Sequence, residues 1–206
     1  HPGVLSAPAR CWRHGALDQG PFMTLFRHLS TVTCCLALAA APASAPAKPD
    51  PTSWLEDQGV TLTECGRGIV RALRVIRVGD AVLYRDDCSR NSEPMEAPLR
   101  LQFSYRRDVP GDAFGQAAEA MIERNVSADT FASLSERLQA FNANYRDIGD
   151  GDTYQLDYGT DGTLLLSLNG ELLATEEGDE FAQSYLTIWF GERPYNDRLK
   201  RDLLGN

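Results

Sequence analysis

The stretch GRGIVRALRVIRVGDAVLYR, residues 66–85, decides the fold because it places apolar side chains on both faces of a predicted strand over 69–78. One face of that strand also carries Arg71 and Arg77, and the other carries Arg74. A strand buried on both sides cannot leave a guanidinium unpaired, since desolvating an ion without a partner is costly. We therefore expect each arginine to meet either a carboxylate of the protein or a carboxylate or phenolate of a bound ligand.

Outward from this stretch, the chain predicts a single α+β domain. Alternation of apolar and polar residues over 99–106 is typical of a strand with one wet face. Strands come first, then two helices, a hairpin and two more helices, and this order favours a mainly antiparallel sheet covered by helices over alternating βα units. The predicted strands cover 60–64, 69–78, 81–85, 99–106, 153–158, 163–169 and 172–175, with turns at Gly66–Gly68 and Gly79–Asp80. Two helices are predicted to begin at Asp112 and at Ser127 or Asp129. Two more are predicted over 179–190 and 196–204, and Asn196 is expected to cap the last one.

Composition and charge exclude several classes of protein. The 206 residues are 43% hydrophobic and 24% charged, which is typical of a globular chain with a core and excludes disorder, collagen and coiled coil. The net charge is −9 and the isoelectric point is about 4.8. Nothing in this balance attracts a phosphate backbone, so we expect no nucleic-acid partner.

The first 45 residues differ from the rest. From Met23, a basic start, a short apolar middle and a small-residue exit at Ala43 or Ala45 predict a secretory signal over 23–45. Residues 1–22 precede that methionine and are interpreted as a non-native leader, with a disordered arm as the alternative. The apolar run is shorter than the roughly 20 residues of a membrane-spanning helix. We expect a linker over 46–54, a domain over 55–206, a periplasmic or secreted location, and no stable membrane insertion after cleavage.

Removal of this leader would leave a domain with unusual chemistry. It would lack histidine, because all three histidines lie within residues 1–45. Triads built on histidine and histidine-ligated metals are then impossible in the mature domain. Cys65 and Cys88 would be its two cysteines, and either a disulfide or two free buried thiols fits their spacing. Asp147, Asp150 and Asp152 lack the spacing of a calcium loop and indicate a turn, so no metal and no cofactor are expected.

Several short motifs lie along the predicted domain. They are GRGIVR (66–71) leading to VLY (82–84), YRRDVP (105–110), DY (157–158), LNG (168–170), and IWFGE (188–192) continuing to LKR (199–201). Together they resemble the chalcone isomerase superfamily, specifically its bacterial exported chalcone isomerase-like branch. The resemblance covers about residues 55–206, and the segment around Gly191 and Glu192 is its most specific part.

The resemblance implies an open-faced β-sandwich, in which a large antiparallel sheet is covered by helices and an apolar cleft lies between them. Plant members close a phenolic chalcone to a flavanone, whereas related plastid members bind fatty acids without catalysis. In both, an arginine near the start of the first long strand holds the ligand's oxyanion. That role falls to Arg71 if the bacterial loop is shorter, or to Arg67 if the plant spacing back from Tyr84 applies, and Arg74 is the structural alternative.

Departures from the plant enzymes bear on function. Phe114 and Met121 stand where the plant isomerases have Tyr and Asn, and Gly79 stands where they have a strand Thr. Ile188 replaces a helix Thr, although a shift of one position would restore a hydroxyl at Thr187. These changes remove the groups that would orient water and polarise a ketone. Phe114, Met121 and Ile188 are therefore expected to line the site of an apolar tail.

The function predicted from this resemblance is non-catalytic binding of a fatty acid or similar small amphipathic anion, with Arg71 or Arg67 at the head group. Each buried CH₂ of such a ligand would contribute about 0.8 kcal/mol. The alternative is an intramolecular lyase that acts on a phenolic, chalcone-like substrate, an inference from fold alone. A third possibility is a periplasmic structural or assembly factor whose cleft is filled by its own side chains.

Overall fold

The computed structural model describes residues 48–73, 75–89 and 92–206. The expected leader over 1–22, the expected signal over 23–45 and the side chain of Arg74 lie outside these residues. Within them, six strands form one antiparallel sheet in which each strand pairs with the next along the chain. The strands are β1 (Thr63–Ala72), β2 (Ile76–Arg85), β3 (Leu99–Tyr105), β4 (Thr153–Tyr158), β5 (Leu164–Leu168) and β6 (Glu171–Glu176).

Helices pack against this sheet and against one another. They are α1 (Trp54–Asp57), α2 (Gly111–Glu123), α3 (Ala128–Asn142), α4 (Asp179–Phe190) and α5 (Asp197–Leu203). Helix α2 contacts α3 and α4, while α5 lies on β1 and β2. Alternate residues of the strands, such as Leu101 and Leu156, are buried with apolar residues of α3 and α4 in one continuous core. The prediction of an α+β fold with a mainly antiparallel sheet covered by helices is confirmed.

Residues before β1 lie against the polar side of the sheet. Leu55 of α1 is fully buried. Arg100 donates to Glu56 over 3.1 Å, and the carbonyl oxygen of Pro51 accepts a hydrogen bond from Gln155 over 3.0 Å. The face of β3 and β4 that alternation predicted to be wet is therefore partly covered by residues 51–57.

The predicted boundaries of the first two strands are wrong. Residues 66–68 form no turn, because β1 passes through them, and β2 passes through Gly79 and Asp80 in the same way. The chain reverses instead between Ala72 and Ile76, which pair across the hairpin, and Leu73 has a positive φ of 49°. The glycines serve close approach: a Cβ at Gly66 would lie 2.3 Å from the carbonyl oxygen of Asp202, and one at Gly79 would lie 2.4 Å from that of Ser104.

The expectation that this first long strand is buried on both faces is also wrong. Strand β1 is an edge strand, and only one of its faces is closed by the core. Gly68 and Val70 are buried, whereas Arg67 is exposed and Arg71 is half-buried. An arginine on such a face keeps much of its hydration, so the desolvation argument does not apply to Arg67.

Helix starts and a disulfide complete the local comparison. Ser127 accepts a hydrogen bond from Thr130 N, and Asn196 accepts one from Leu199 N, as their predicted capping roles require. Asp112 does not cap α2, which begins one residue earlier at Gly111. The Gly111 N–H instead donates to Asp147 over 2.8 Å. Of the two alternatives for the cysteines, the structure has the Cys65–Cys88 disulfide, with the Cα atoms 5.1 Å apart.

Candidate functional site

An apolar cavity of about 260 Å³ lies between the sheet and helices α2 and α4. The end of the first hairpin closes one side of it, and loops that follow β3, α3 and α4 complete the wall. No charged side chain belongs to the lining within the described part of the chain. The lining residues are Val70, Ala72, Val78, Phe103, Tyr105, Val109, Ala113, Phe114, Ala117, Ala118, Met121, Tyr145, Ile188, Trp189 and Tyr195.

Three of the predicted site residues lie together in this lining. Phe114 and Met121 come from α2, where their separation of seven residues puts them on one helix face, and Ile188 comes from α4. Thr187 is not part of the lining, and its hydroxyl donates to the carbonyl oxygen of Ser184 over 2.6 Å. Gly79 also lies outside the lining. Three of the positions at which the resemblance implied polar groups, Phe114, Met121 and Ile188, therefore present apolar side chains to the cavity.

The two predicted arginines do not belong to the lining. Arg67 donates to Glu64 over 2.7 Å, and 69% of its side chain is exposed. Arg71 is half-buried and is not among the lining residues, and its carbonyl oxygen accepts a hydrogen bond from the Tyr195 hydroxyl over 2.7 Å. Val70 and Ala72, the neighbours of Arg71 on the strand, face the cavity instead. A ligand inside the cavity is thus surrounded by side chains other than these two arginines.

The lining residues with polar side-chain groups are Tyr105, Tyr145 and Tyr195, which carry hydroxyls, and Trp189, which carries an indole N–H. The Tyr195 hydroxyl donates a hydrogen bond to the Arg71 carbonyl oxygen. Tyr145 lies 3.0 Å from the hydroxyl of Tyr185, which in turn donates to Asn142 Oδ1 over 2.8 Å. Because Tyr185 has a single proton and uses it on Asn142, Tyr145 is the donor in the first of these bonds. The hydroxyls of Tyr145 and Tyr195 therefore both donate their hydrogen bonds to acceptors of the protein.

Tyr105 differs from these two tyrosines. Its side chain is 7% exposed, and its hydroxyl forms no hydrogen bond with any residue that the structure describes. Arg85 Nε is the one fully buried side-chain polar atom without a partner in that part of the chain, so the Tyr105 oxygen retains access to open space. Burial raises the pKa of Tyr105 well above the usual value for a phenol, and the nearby phenols of Tyr145 and Tyr195 add to the rise. Tyr105 is consequently a neutral group with an available proton.

The sequence assigns these tyrosines no role in the site. Tyr105 continues the alternation of Leu101 and Phe103 on β3, a pattern that predicts a core residue. Tyr145 and Tyr195 lie outside helices and strands, where periodicity gives no signal. Burial raises the pKa of Tyr145, against the hydrogen bond to Tyr185, and burial alone raises the pKa of Tyr195. The cavity wall therefore stays uncharged through the physiological pH range.

Other candidate chemistry is accounted for by local structure. The Asp152 carboxylate accepts from the Gly149 N–H over 2.7 Å, which makes the 147–152 cluster a turn. In the described residues, no group of three or more His, Cys, Asp or Glu side chains is placed to hold a metal ion. No helix among these residues is long and apolar enough to cross a membrane.

Comparisons with known proteins place this geometry in a family context. The model of a family described as chalcone isomerase-like matches residues 47–205. A search of curated proteins finds no match. Among solved structures, the chain is similar to the crystal structure of a fatty-acid binding protein from Arabidopsis thaliana, with 16% sequence identity and a TM-score of 0.48 over 70% of this chain and 85% of that chain. At this identity, the ligand of that protein is not carried over to this chain.

Proposed function

Because the chain belongs to the chalcone isomerase-like family, we propose that it is a non-catalytic member that holds a small apolar ligand in its cavity. The observation that carries this proposal is an apolar cavity of about 260 Å³ without a charged group or histidine in its described lining. Such a wall offers no general base and no nucleophile for chemistry at neutral pH, whereas it favours burial of hydrocarbon.

A fatty acid or a similar acyl compound fits this wall best. The cavity has a volume of about 260 Å³. That volume lies just below the range of cavities that enclose drug-sized ligands. Phe114, Met121 and Ile188 would contact the apolar part of the ligand. The proposal does not assign the head group to Arg67 or Arg71, because neither side chain lines the cavity.

We further propose that the domain works in an oxidising compartment, periplasmic or extracellular. The Cys65–Cys88 disulfide supports this location, since such bonds persist outside the reducing cytosol. The signal pattern over 23–45 agrees with it. The intact mass of the protein from its native host tests this proposal: the chain should begin at Ser44 or Pro46, and a cytosolic protein that retains Met23 would contradict it.

Native mass spectrometry of the purified protein tests the binding proposal. We expect the protein to carry, or to take up, a saturated acid or alcohol of six to ten carbons. Ala118 is 5% exposed and lies on the cavity wall, so Ala118→Phe should fill the space and abolish binding. Ala120 is exposed on the same helix, and Ala120→Phe should bind as the original protein does.

A second variant guards against a folding defect in the first. Met121→Ala enlarges the cavity, so it should shift the preferred chain length upward by about one or two carbons. A protein that neither carries nor takes up any of these compounds would contradict the proposed function. Ring closure of a chalcone above the spontaneous rate, lost in Ala118→Phe, would establish the lyase instead.

A further inference from the structure

We infer that the cavity selects a ligand whose head group is uncharged and both accepts and donates a hydrogen bond, an inference that rests on the proposed function. The charge of the cavity wall limits the charge of a head group. The described lining holds no cationic side chain, and the hydrogen-bond chain from Tyr145 through Tyr185 and Asn142 leads to a carboxylate, Glu119, 3.5 Å from Asn142 Nδ2. An anionic head group inside the cavity would therefore meet no counter-ion among the described lining side chains, and its desolvation would be uncompensated there.

The tyrosine hydroxyls of the lining differ in whether they can donate a hydrogen bond to a ligand. Tyr145 donates a hydrogen bond to Tyr185, and Tyr195 donates one to the Arg71 carbonyl oxygen, so both oxygens can only accept further hydrogen bonds. Tyr105 has a proton without a described acceptor and can donate it. A ligand that meets all three hydroxyls must accept from Tyr105 and donate to Tyr145 or Tyr195. Alcohols, primary amides and protonated carboxylic acids have this combination, and an ionised carboxylate does not.

The titratable side chains of the cavity wall determine how binding depends on pH. The titratable side chains that line the described wall are Tyr105, Tyr145 and Tyr195, whose pKa values are all raised by burial. The polarity of the wall is then constant between pH 5 and pH 8. Any change in affinity across this interval must come from the ligand. A fatty acid would enter as the protonated acid, and its apparent affinity would fall about tenfold for each pH unit above its own pKa, which is roughly 4 to 5 for a carboxyl group.

Isothermal titration calorimetry with two eight-carbon probes tests this inference. We expect octan-1-ol to bind with a Kd that changes less than about twofold between pH 5 and pH 8. Octanoate should bind at pH 5 and lose at least about 100-fold in affinity by pH 8. Equal affinities for octanol and octanoate at pH 8 would overturn the inference and leave the proposed function intact. Failure of both probes at every pH would instead refute the proposed function.

Tyr105 is tested by removal of its hydroxyl. Tyr105→Phe keeps the ring in the wall and should weaken octan-1-ol binding about five- to tenfold, as expected for loss of one hydrogen bond. Tyr84 is half-buried and lies outside the cavity lining, so Tyr84→Phe should leave the Kd unchanged. Unchanged octanol binding in a folded Tyr105→Phe protein would overturn the assignment of Tyr105 as the donor.

Discussion

At the scale of single residues, Arg85 and Arg100 place buried guanidinium groups outside the cavity lining of the described domain. Arg100 is 13% exposed in its side chain and donates to Asp157 over 2.7 Å, with Glu56 as a second carboxylate. Arg85 is 5% exposed and donates to Ser92 Oγ and to the Glu93 carbonyl oxygen, both over 2.8 Å. Burial raises the pKa of Asp157, and its bonds to Arg100 oppose that rise. The Arg100–Asp157 pair thus joins β3 to β4 in a partly desolvated setting.

Asp157→Ala should destabilise the domain by about 2 to 4 kcal/mol, because removal of one partner leaves a buried charge poorly compensated. Chemical denaturation measures this loss as a lower midpoint at unchanged slope. Glu171→Ala is the matched control, since it breaks the exposed Arg146–Glu171 pair and should cost less than about 1 kcal/mol. Equal losses in the two variants would contradict the role given to the buried pair.

The rule that a buried guanidinium meets a carboxylate holds for Arg100 but not for Arg85, whose described partners are a hydroxyl and a carbonyl oxygen. The sequence predicts paired guanidinium groups within residues 69–78, whereas Arg85 and Arg100 lie outside that range. What covers an arginine depends on distant segments: α1 lies over Arg100, and residues 92–93 lie over Arg85. Arg67 is exposed because it lies on the face of β1 that the core does not cover, a property of layer packing that the sequence of a single strand does not reveal.

At the scale of elements, the packing of α5 on the first hairpin fixes the edge of the sheet. Gly66 approaches the backbone of Asp202 and Leu203, and Gly68 lies under Leu199, with 2.6 Å between its Cβ position and the Leu199 Cδ1 atom. The predicted strands over 99–106 and 153–158 and the predicted helices over 179–190 and 196–204 agree with the structure to within one residue at each end. Periodicity misplaced the first turn because glycine marks both turns and close backbone contacts, and the sequence alone does not separate the two.

Gly66→Ala should cost about 1 to 3 kcal/mol of stability, since its Cβ would meet backbone atoms of α5 that have no room to move. Thermal denaturation should show the loss as a lower Tm. Gly149→Ala is the control: the nearest atom to its Cβ position is the Asp108 side-chain oxygen at 3.2 Å, which can rotate away. Equal stability of the Gly66→Ala and Gly149→Ala proteins would contradict the close packing of α5 against β1 at Gly66.

At the scale of the whole molecule, the sheet and helices leave one large apolar space inside the described domain. The resemblance predicted that Phe114, Met121 and Ile188 would contribute to it, and helix periodicity explains why two of them share a face. The tyrosine hydroxyls could not be predicted, because Tyr145 and Tyr195 are brought to the wall by loops. Polar character in this cavity is therefore a product of tertiary structure.

Methyl NMR of protein labelled at methionine tests the central claim, that this cavity binds a small apolar ligand. Met121 lies in the cavity wall and Met95 does not, so one sample contains both probe and reference. On titration with octan-1-ol, the Met121 signal should shift and saturate while the Met95 signal stays in place. A Met121 signal that does not move, or two signals that move together without saturation, would contradict the account.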